Sequence, residues 1–235
     1  LRDDNGNLKS KEDRLKDFKD NQDLLKKCID VRLFGATTAV KEKTMTLTGP
    51  VQFKYGRSLH RVDVTYVKGT TVMPSGQDKK QGTFTERYIL PYSLIAFYGI
   101  VNENAAIRQN IELTEEDVLL MLEGMWNGTK NLMSNSKTGQ MPRLLLQVVF
   151  KEKNFHIGEL DKRIKFVTDK NDEEIRDIRD GKLEVSELIA ALNMYRDSIE
   201  KINFKADERL IITVDGKETT LEKALDGFTI KEFSF

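Results

Sequence analysis

The sequence predicts an α+β fold. Three observations carry this: several short segments alternate apolar and polar residues, three segments show helical periodicity, and one of those helices lies between two apolar strand-like runs. In chain order, Ser10 caps a first helix, with Asp13 where a capping box places its acid and Leu15, Phe18, Leu25 and Ile29 at helical spacing. In residues 51–55, "VQFKY", apolar and polar residues alternate, and Val62, Val64 and Tyr66 repeat the pattern. Each segment therefore has one face for a core and one for solvent or a ligand. Residues 88–101, "YILPYSLIAFYGIV", read as a strand near the middle of a sheet, its regular part starting after Pro91.

Thr114 caps the clearest helix. Glu115, Glu116 and Asp117 suit its positive N-terminal dipole, Val118, Leu119, Leu122 and Trp126 supply a buried stripe, and Asn127-Gly128 is expected to end it. Residues 143–150, "RLLLQVVF", read as a strand, so strand, helix and strand predict a crossover that lays both strands in one sheet. A third helix is expected over 184–202, where Val185, Leu188, Leu192, Tyr195, Ile199 and Ile202 repeat. Residues 209–214 form a further strand, turned at Asp215-Gly216 into 217–221. "FTIKEFSF" supplies a last strand, whose alternation slips at Lys231-Glu232.

At 235 residues the chain suits one large domain with a real core. Its apolar runs are too short to span a membrane, so a water-soluble protein with no membrane partner is expected. Cys28 is the only cysteine and cannot close an internal disulfide. With no secretory leader at the front, the cytoplasm is the expected compartment. One cysteine and two distant histidines, His60 and His156, offer no metal cluster, and neither metal nor cofactor is expected. The chain begins at Leu1, so a preceding N-terminal portion is expected.

The net charge of zero conceals an uneven distribution. Residues 31–90 carry 10 Lys and Arg against 4 Asp and Glu, net +6; residues 127–153 carry 5 against 1, net +4. Residues 91–126 and 159–226 are each net −5, at 1 against 6 and 13 against 18. If the fold joins the two basic segments they make one cationic face; otherwise their charges are solvated singly.

No phosphate loop, dinucleotide fingerprint, nucleophile elbow or metal-binding histidine pair is present, and no catalytic residues are assigned. Recognition chemistry remains, in two segments. In "TGPVQFKYGRSLHRV", 48–62, Lys54, Arg57, His60 and Arg61 are donors suited to phosphate, Gly49 and Gly56 permit close backbone approach, and Phe53 and Tyr55 suit base stacking. In "NGTKNLMSNSKTGQMPR", 127–143, Lys130, Ser134, Asn135, Ser136, Lys137, Thr138, Gly139 and Arg143 gather donors without one acid, the furnishing of an anion site. An ordinary polar loop is the competing reading.

Four stretches carry a family resemblance: "DVRLFGATTAV" (30–40), "LTGPVQFKYGRSLHRV" (47–62), "YSLIAFYGIVNENAA" (92–106) and "SKTGQMPRLLLQV" (136–148). Together they resemble the CRISPR-associated backbone subunit of Cascade in its type I-B form, in order from residue 24 to about 160. The resemblance implies a ferredoxin-like, RNA-recognition-motif-like palm: an antiparallel sheet with two packed helices, plus a finger-like insertion at about 41–87 and a thumb, for which 155–181 is the candidate. It also implies a preceding strand absent from these 235 residues. Its implied function is to oligomerise along CRISPR guide RNA, gripping the sugar-phosphate backbone and presenting bases to target DNA. The implied partners are guide RNA, target DNA through the guide, further copies of the chain and other Cascade subunits.

By that match, Arg32, Lys54, Arg57, Ser58, Ser136, Lys137, Gln140 and Arg143 are candidate RNA contacts, Met141 a base wedge, and His60 an added phosphate or backbone contact. Each has a plainer reading: Arg32 anchors Asp30 or a helix end, Arg143 is a structural ion-pair partner, and Met141 fills core. The alternative function is an RNA-cleaving CRISPR-associated endoribonuclease of the same fold. Its candidate acids are Asp30, Asp63 and Asp78, with Glu42 and Glu86 nearby.

Overall fold

The structure, a computed structural model, describes residues 2–3, 5–16, 18, 20–40, 43–70 and 84–235. Glu42 and Asp78, and with them residues 41, 42 and 71–83 of the expected finger, lie outside the described residues. Within them the chain is mixed α and β.

The single expected N-terminal helix is three: α1 (Lys11–Lys16), α2 (Asn21–Lys27) and α3 (Ile29–Phe34). Ser10 caps α1 with Asp13 as expected. The split has local causes. Asp20 caps a new start by accepting from the Asp23 N–H, and Cys28, in an extended conformation, separates α2 from α3.

Next come β1 (Gly35–Val40) and β2 (Lys43–Thr48), an antiparallel hairpin, then β3 (Val51–Phe53) and β4 (Arg57–Ser58). Gly35 and Gly49 make this corner possible. A Cβ on Gly49 would lie 2.2 Å from the Phe34 carbonyl carbon, and one on Gly35 2.1 Å from the Leu47 oxygen. Gly49 thus admits neighbouring backbone, and Gly56 admits the Phe97 ring and Ile95; neither faces a ligand as the sequence suggested.

β5 (Thr65–Thr70) and β6 (Phe84–Ile89) form an exposed two-stranded ribbon, its Tyr66 and Tyr88 rings 5.2 Å apart. The expected central strand over 88–101 is broken into the end of β6, β7 (Ile95–Ala96) and β8 (Gly99–Val101). β7 pairs with β4 and β8 with β3, so the chain shifts partner at Phe97-Tyr98, and Ile95, Phe97 and Val101 stay exposed.

After α4 (Glu103–Arg108) comes α5 (Glu115–Lys130), with the full Thr114–Asp117 capping box. It runs through Asn127-Gly128 to Lys130, because the Asn131 N–H still closes onto the Asn127 and Thr129 carbonyls. β9 (Leu144–Phe150) follows as expected. It does not share a sheet with β8: β8 pairs only with β3, and β9 only with a later strand, so the crossover expectation is corrected.

The C-terminal third contains β10 (Lys165–Val167), β11 (Lys182–Glu184), α6 (Ser186–Met194), β12 (Ile199–Ala206), β13 (Ile212–Val214), β14 (Lys217–Thr219), α7 (Leu221–Ala224) and β15 (Ile230–Glu232). The third helix ends eight residues before its expected end at Ile202. Ile199 and Ile202 fit a helical spacing, but they serve β12, which runs antiparallel to β9 with Ile202 opposite Val148 and parallel to β15. A second sheet has the order β10, β11, β13, β14.

The main core joins α6, β9, β12 and α7 through Leu188, Leu192, Ile202, Phe204 and Leu225. A smaller one sets α5 against α3 and β3 through Leu33, Val51, Met121 and Leu122. Residues 155–181, the thumb candidate, are tied into the fold by buried Phe166, Ile175 and Ile178.

Candidate nucleic-acid interface

A cleft of about 2310 Å³ lies between the β3–β8 pair and β9, with α5 along one side and the 134–143 loop at its rim. Eight Lys and Arg line it, against four Asp and Glu. Lys54 reaches it from the first basic segment, and Lys137, Arg143, Lys151 and Lys153 from the second. The fold thus brings the two basic segments to one surface.

Of the ten candidate residues Lys54, Ser136, Lys137, Gln140, Met141 and Arg143 line this cleft, whereas Arg32, Arg57, Ser58 and His60 do not, and they separate further by what holds them. Arg32 is committed to structure: Nε and Nη2 donate to Asp117 at 2.9 and 2.6 Å, and Nη1 donates to the Leu25 and Lys26 carbonyls at 2.6 and 3.1 Å. The guanidinium holds the Asp117 carboxyl below its ordinary value against the opposing effect of burial, with Thr114 hydrogen bonds adding to the lowering. Arg143 is likewise paired with Asp207.

His60 is buried. Nδ1 meets the Arg61 carbonyl at 2.9 Å and Nε2 meets the Leu94 N–H at 3.3 Å, so the ring donates through Nδ1 and accepts through Nε2. It stacks on Tyr92 at 5.9 Å. Ser58 Oγ donates to the His60 carbonyl at 2.7 Å and lies 3.0 Å from Ser93 Oγ.

The remaining candidates are more available. Lys54 is half exposed on the cleft wall, its Nζ 5.7 Å from the Tyr98 ring centroid and 3.9 Å from Asp161 Oδ1. Arg57 is exposed, with Nη2 donating to the Asp161 carbonyl at 3.0 Å. Ser136, Lys137 and Gln140 are exposed, and their side chains make no hydrogen bond or ion pair among the described residues. A turn shapes their loop: the Ser134 carbonyl accepts from the Lys137 and Thr138 N–H groups at 3.1 and 2.9 Å, and Gly139 takes φ +86°. Met141 stands beside them, exposed, on the cleft rim.

Sequence reasoning missed Asp161. It is buried on the same wall, next to Lys54. In "GELDKR" it reads as one more solvated acid in a charged run, and no local spacing distinguishes it. Among the described residues no three His, Cys, Asp or Glu side chains are placed to hold a metal ion. No helix among them is long and apolar enough to cross a membrane.

Comparison with known proteins gives this architecture a family. The family model described as CRISPR-associated protein Cas7 matches residues 2–186. A CRISPR-associated protein Cas7 of Haloferax volcanii is 30% identical over 210 residues, covering 81% of this chain and 61% of that protein. The chain belongs to the Cas7 family. It spans about 61% of that relative's length. Two solved structures share the fold at 13% identity and a TM-score of 0.51. One, described as a CRISPR RNA-guided surveillance complex, pre-nicking, matches over 97% of this chain and 57% of its own. The other, a CRISPR RNA-guided surveillance complex, matches over 95% and 76%.

Proposed function

We propose that this chain is a backbone subunit of a type I CRISPR surveillance complex, of the I-B form, that oligomerises along guide RNA in antiviral defence. It holds the sugar-phosphate backbone and leaves the bases free to pair with target DNA. The observation that carries this is the loop at the cleft rim, where Ser136, Lys137 and Gln140 present side chains with no partner among the described residues beside a cleft enriched in cations. Membership of the Cas7 family supports guide RNA as the ligand of that surface. A subunit that must accept any guide needs phosphate and 2′-hydroxyl contacts and no base readout, and donors of these types meet that need.

Lys54, Arg57, Ser136, Lys137, Gln140 and Met141 form the contact set in this proposal. Arg32, Ser58, His60 and Arg143 act one step back, holding the elements that carry it. The partners are guide RNA, target DNA through the guide, further copies of the chain and other subunits of the complex, in the cytoplasm. The palm is read as ferredoxin-like, and the finger insertion as about 41–87, of which residues 43–70 and 84–87 are described. The role is non-catalytic.

The test is to purify the protein from cells expressing a CRISPR array, digest with nuclease, sequence the protected RNA and size the particle by light scattering. Spacer-length guide RNA in a multimeric particle is expected. A monomer free of RNA would overturn the proposal. Metal-dependent RNA cleavage lost on Asp30→Ala or Asp63→Ala would favour the endoribonuclease instead.

A further inference from the structure

Among the described residues, carboxylates wholly or partly withdrawn from solvent are treated unevenly. Glu184 receives hydrogen bonds from the Ser186 N–H and hydroxyl, the Thr213 hydroxyl and the Gly216 N–H. The Asp117 carboxylate receives the Arg32 fork and the Thr114 backbone N–H. Asp161 is only 8% exposed, yet its Oδ1 meets no hydrogen-bond donor among the described residues. A buried carboxylate oxygen without a donor is costly, and one beside an open cleft calls for a donor from elsewhere.

Its neighbours do not supply one. Arg57 Nη2 and Tyr98 Oη donate to backbone carbonyls, those of Asp161 and Ile157, at 3.0 and 3.1 Å. These bonds tie Arg57 and Tyr98 to the backbone of the segment that carries Asp161. Lys54 Nζ, at 3.9 Å from Oδ1, is beyond hydrogen-bond distance and sits on a side chain 51% exposed. It can swing outward to a phosphate and uncover the carboxylate.

We propose that Asp161 reads ribose, accepting a hydrogen bond from a 2′-hydroxyl of the bound strand while Lys54 holds the adjacent phosphate. This rests on the guide-RNA reading above. The chemistry selects the ligand: Lys54 and Arg57 favour an anion, whereas a carboxylate repels a bare anion and rewards a hydroxyl donor next to it. A ribonucleotide carries both groups and a deoxyribonucleotide lacks the hydroxyl, so the site prefers RNA over DNA of the same sequence.

The test compares binding of the purified protein to a spacer-length RNA and to its 2′-fluoro counterpart, at one fixed salt concentration. The fluoro strand keeps the ribose pucker and loses the donor. The wild type is expected to bind RNA at least about tenfold more tightly, the scale of one hydrogen bond to a charged group. Asp161→Ala is expected to bring the ratio close to one. Lys54→Ala is expected to weaken both strands alike and keep the ratio.

A wild-type ratio of one, or a ratio unchanged in Asp161→Ala, overturns the assignment of Asp161. Should Asp161→Ala fail to fold, Asp161→Asn keeps the shape and weakens the acceptor. Its ratio is expected to fall several-fold, and an unchanged one overturns the assignment. If the wild type binds neither strand, the guide-RNA reading has failed as well, an outcome distinct from tight binding without discrimination.

Discussion

The C-terminal third and the rim around residues 53–56 and 131–143 use apolar and charged residues in opposite ways. In the first, Val185, Leu188, Leu192, Ile202 and Leu225 are almost wholly buried around one core. At the rim Tyr55 is 100% exposed and Met133 97%, in the same stretches as Lys137, which meets no acid among the described residues. Removing water from apolar area stabilises at about 25 cal/mol per Å², so an isolated protein gains nothing from aromatics left in solvent. One region maintains the fold, and the other leaves large apolar side chains in solvent, where they add nothing to the stability of the isolated chain.

Substitutions that separate stability from binding test this contrast. The largest effect is expected at a point where charge serves the framework. Arg32→Ala strands the Asp117 carboxylate in a buried site, which costs about 3–5 kcal/mol. Urea unfolding reads that loss, while the salt dependence of RNA binding should stay unchanged among molecules that remain folded. Leu192→Ala should cost about 3 kcal/mol by leaving a cavity in the main core. Tyr55→Ala is its opposite: stability within about 0.5 kcal/mol of wild type, and weaker RNA binding if the ring stacks on a base. Equal stability losses at Leu192 and Tyr55 would erase the distinction.

The same contrast explains how far the sequence could be read. Thr114 and Asp117 announced α5 because capping is local chemistry, and Asp215-Gly216 announced the β13–β14 turn because both residues tolerate positive φ. The broken run over 88–101 was illegible, since whether apolar residues form one strand or two depends on which partners, β3 and β4, they meet. Ile199 and Ile202 fit a helix as well as a strand, and only pairing with β9 decides between them. At the site, the free loop donors Ser136 and Lys137 were legible from composition. The commitments of Arg32 to Asp117, 85 residues away, and of Arg143 to Asp207 are tertiary facts.

Acid should loosen the C-terminal region at a defined point. Burial opposes the charge on Glu184, but hydrogen bonds from Ser186, Thr213 and Gly216 outweigh it and lower its pKa from 4.5 to about 2. A depressed carboxylate contributes stability that is fully present above the unfolded pKa and is lost as pH falls through the folded one. The wild-type melting temperature should therefore drop between about pH 4.5 and 2, and the drop should be shallower in Glu184→Gln. Parallel curves for the two proteins would show that Glu184 does not anchor the β11–β13 junction.

Two cations in one segment, six residues apart, carry the contrast at its finest, and the smaller effect belongs to Lys137. Lys137 has no partner among the described residues, so Lys137→Ala should leave the unfolding curve in place. Loss of one phosphate contact should weaken RNA binding uniformly across guide sequences and make the salt slope shallower by about 0.7. Arg143, paired with Asp207, should behave in reverse when replaced by Ala, because the buried carboxylate is left without its counter-ion. Its salt slope should hold at wild-type steepness. A slope change at Arg143 equal to that at Lys137 would mean that the Asp207 pair opens when RNA binds, and would return Arg143 to the contact set.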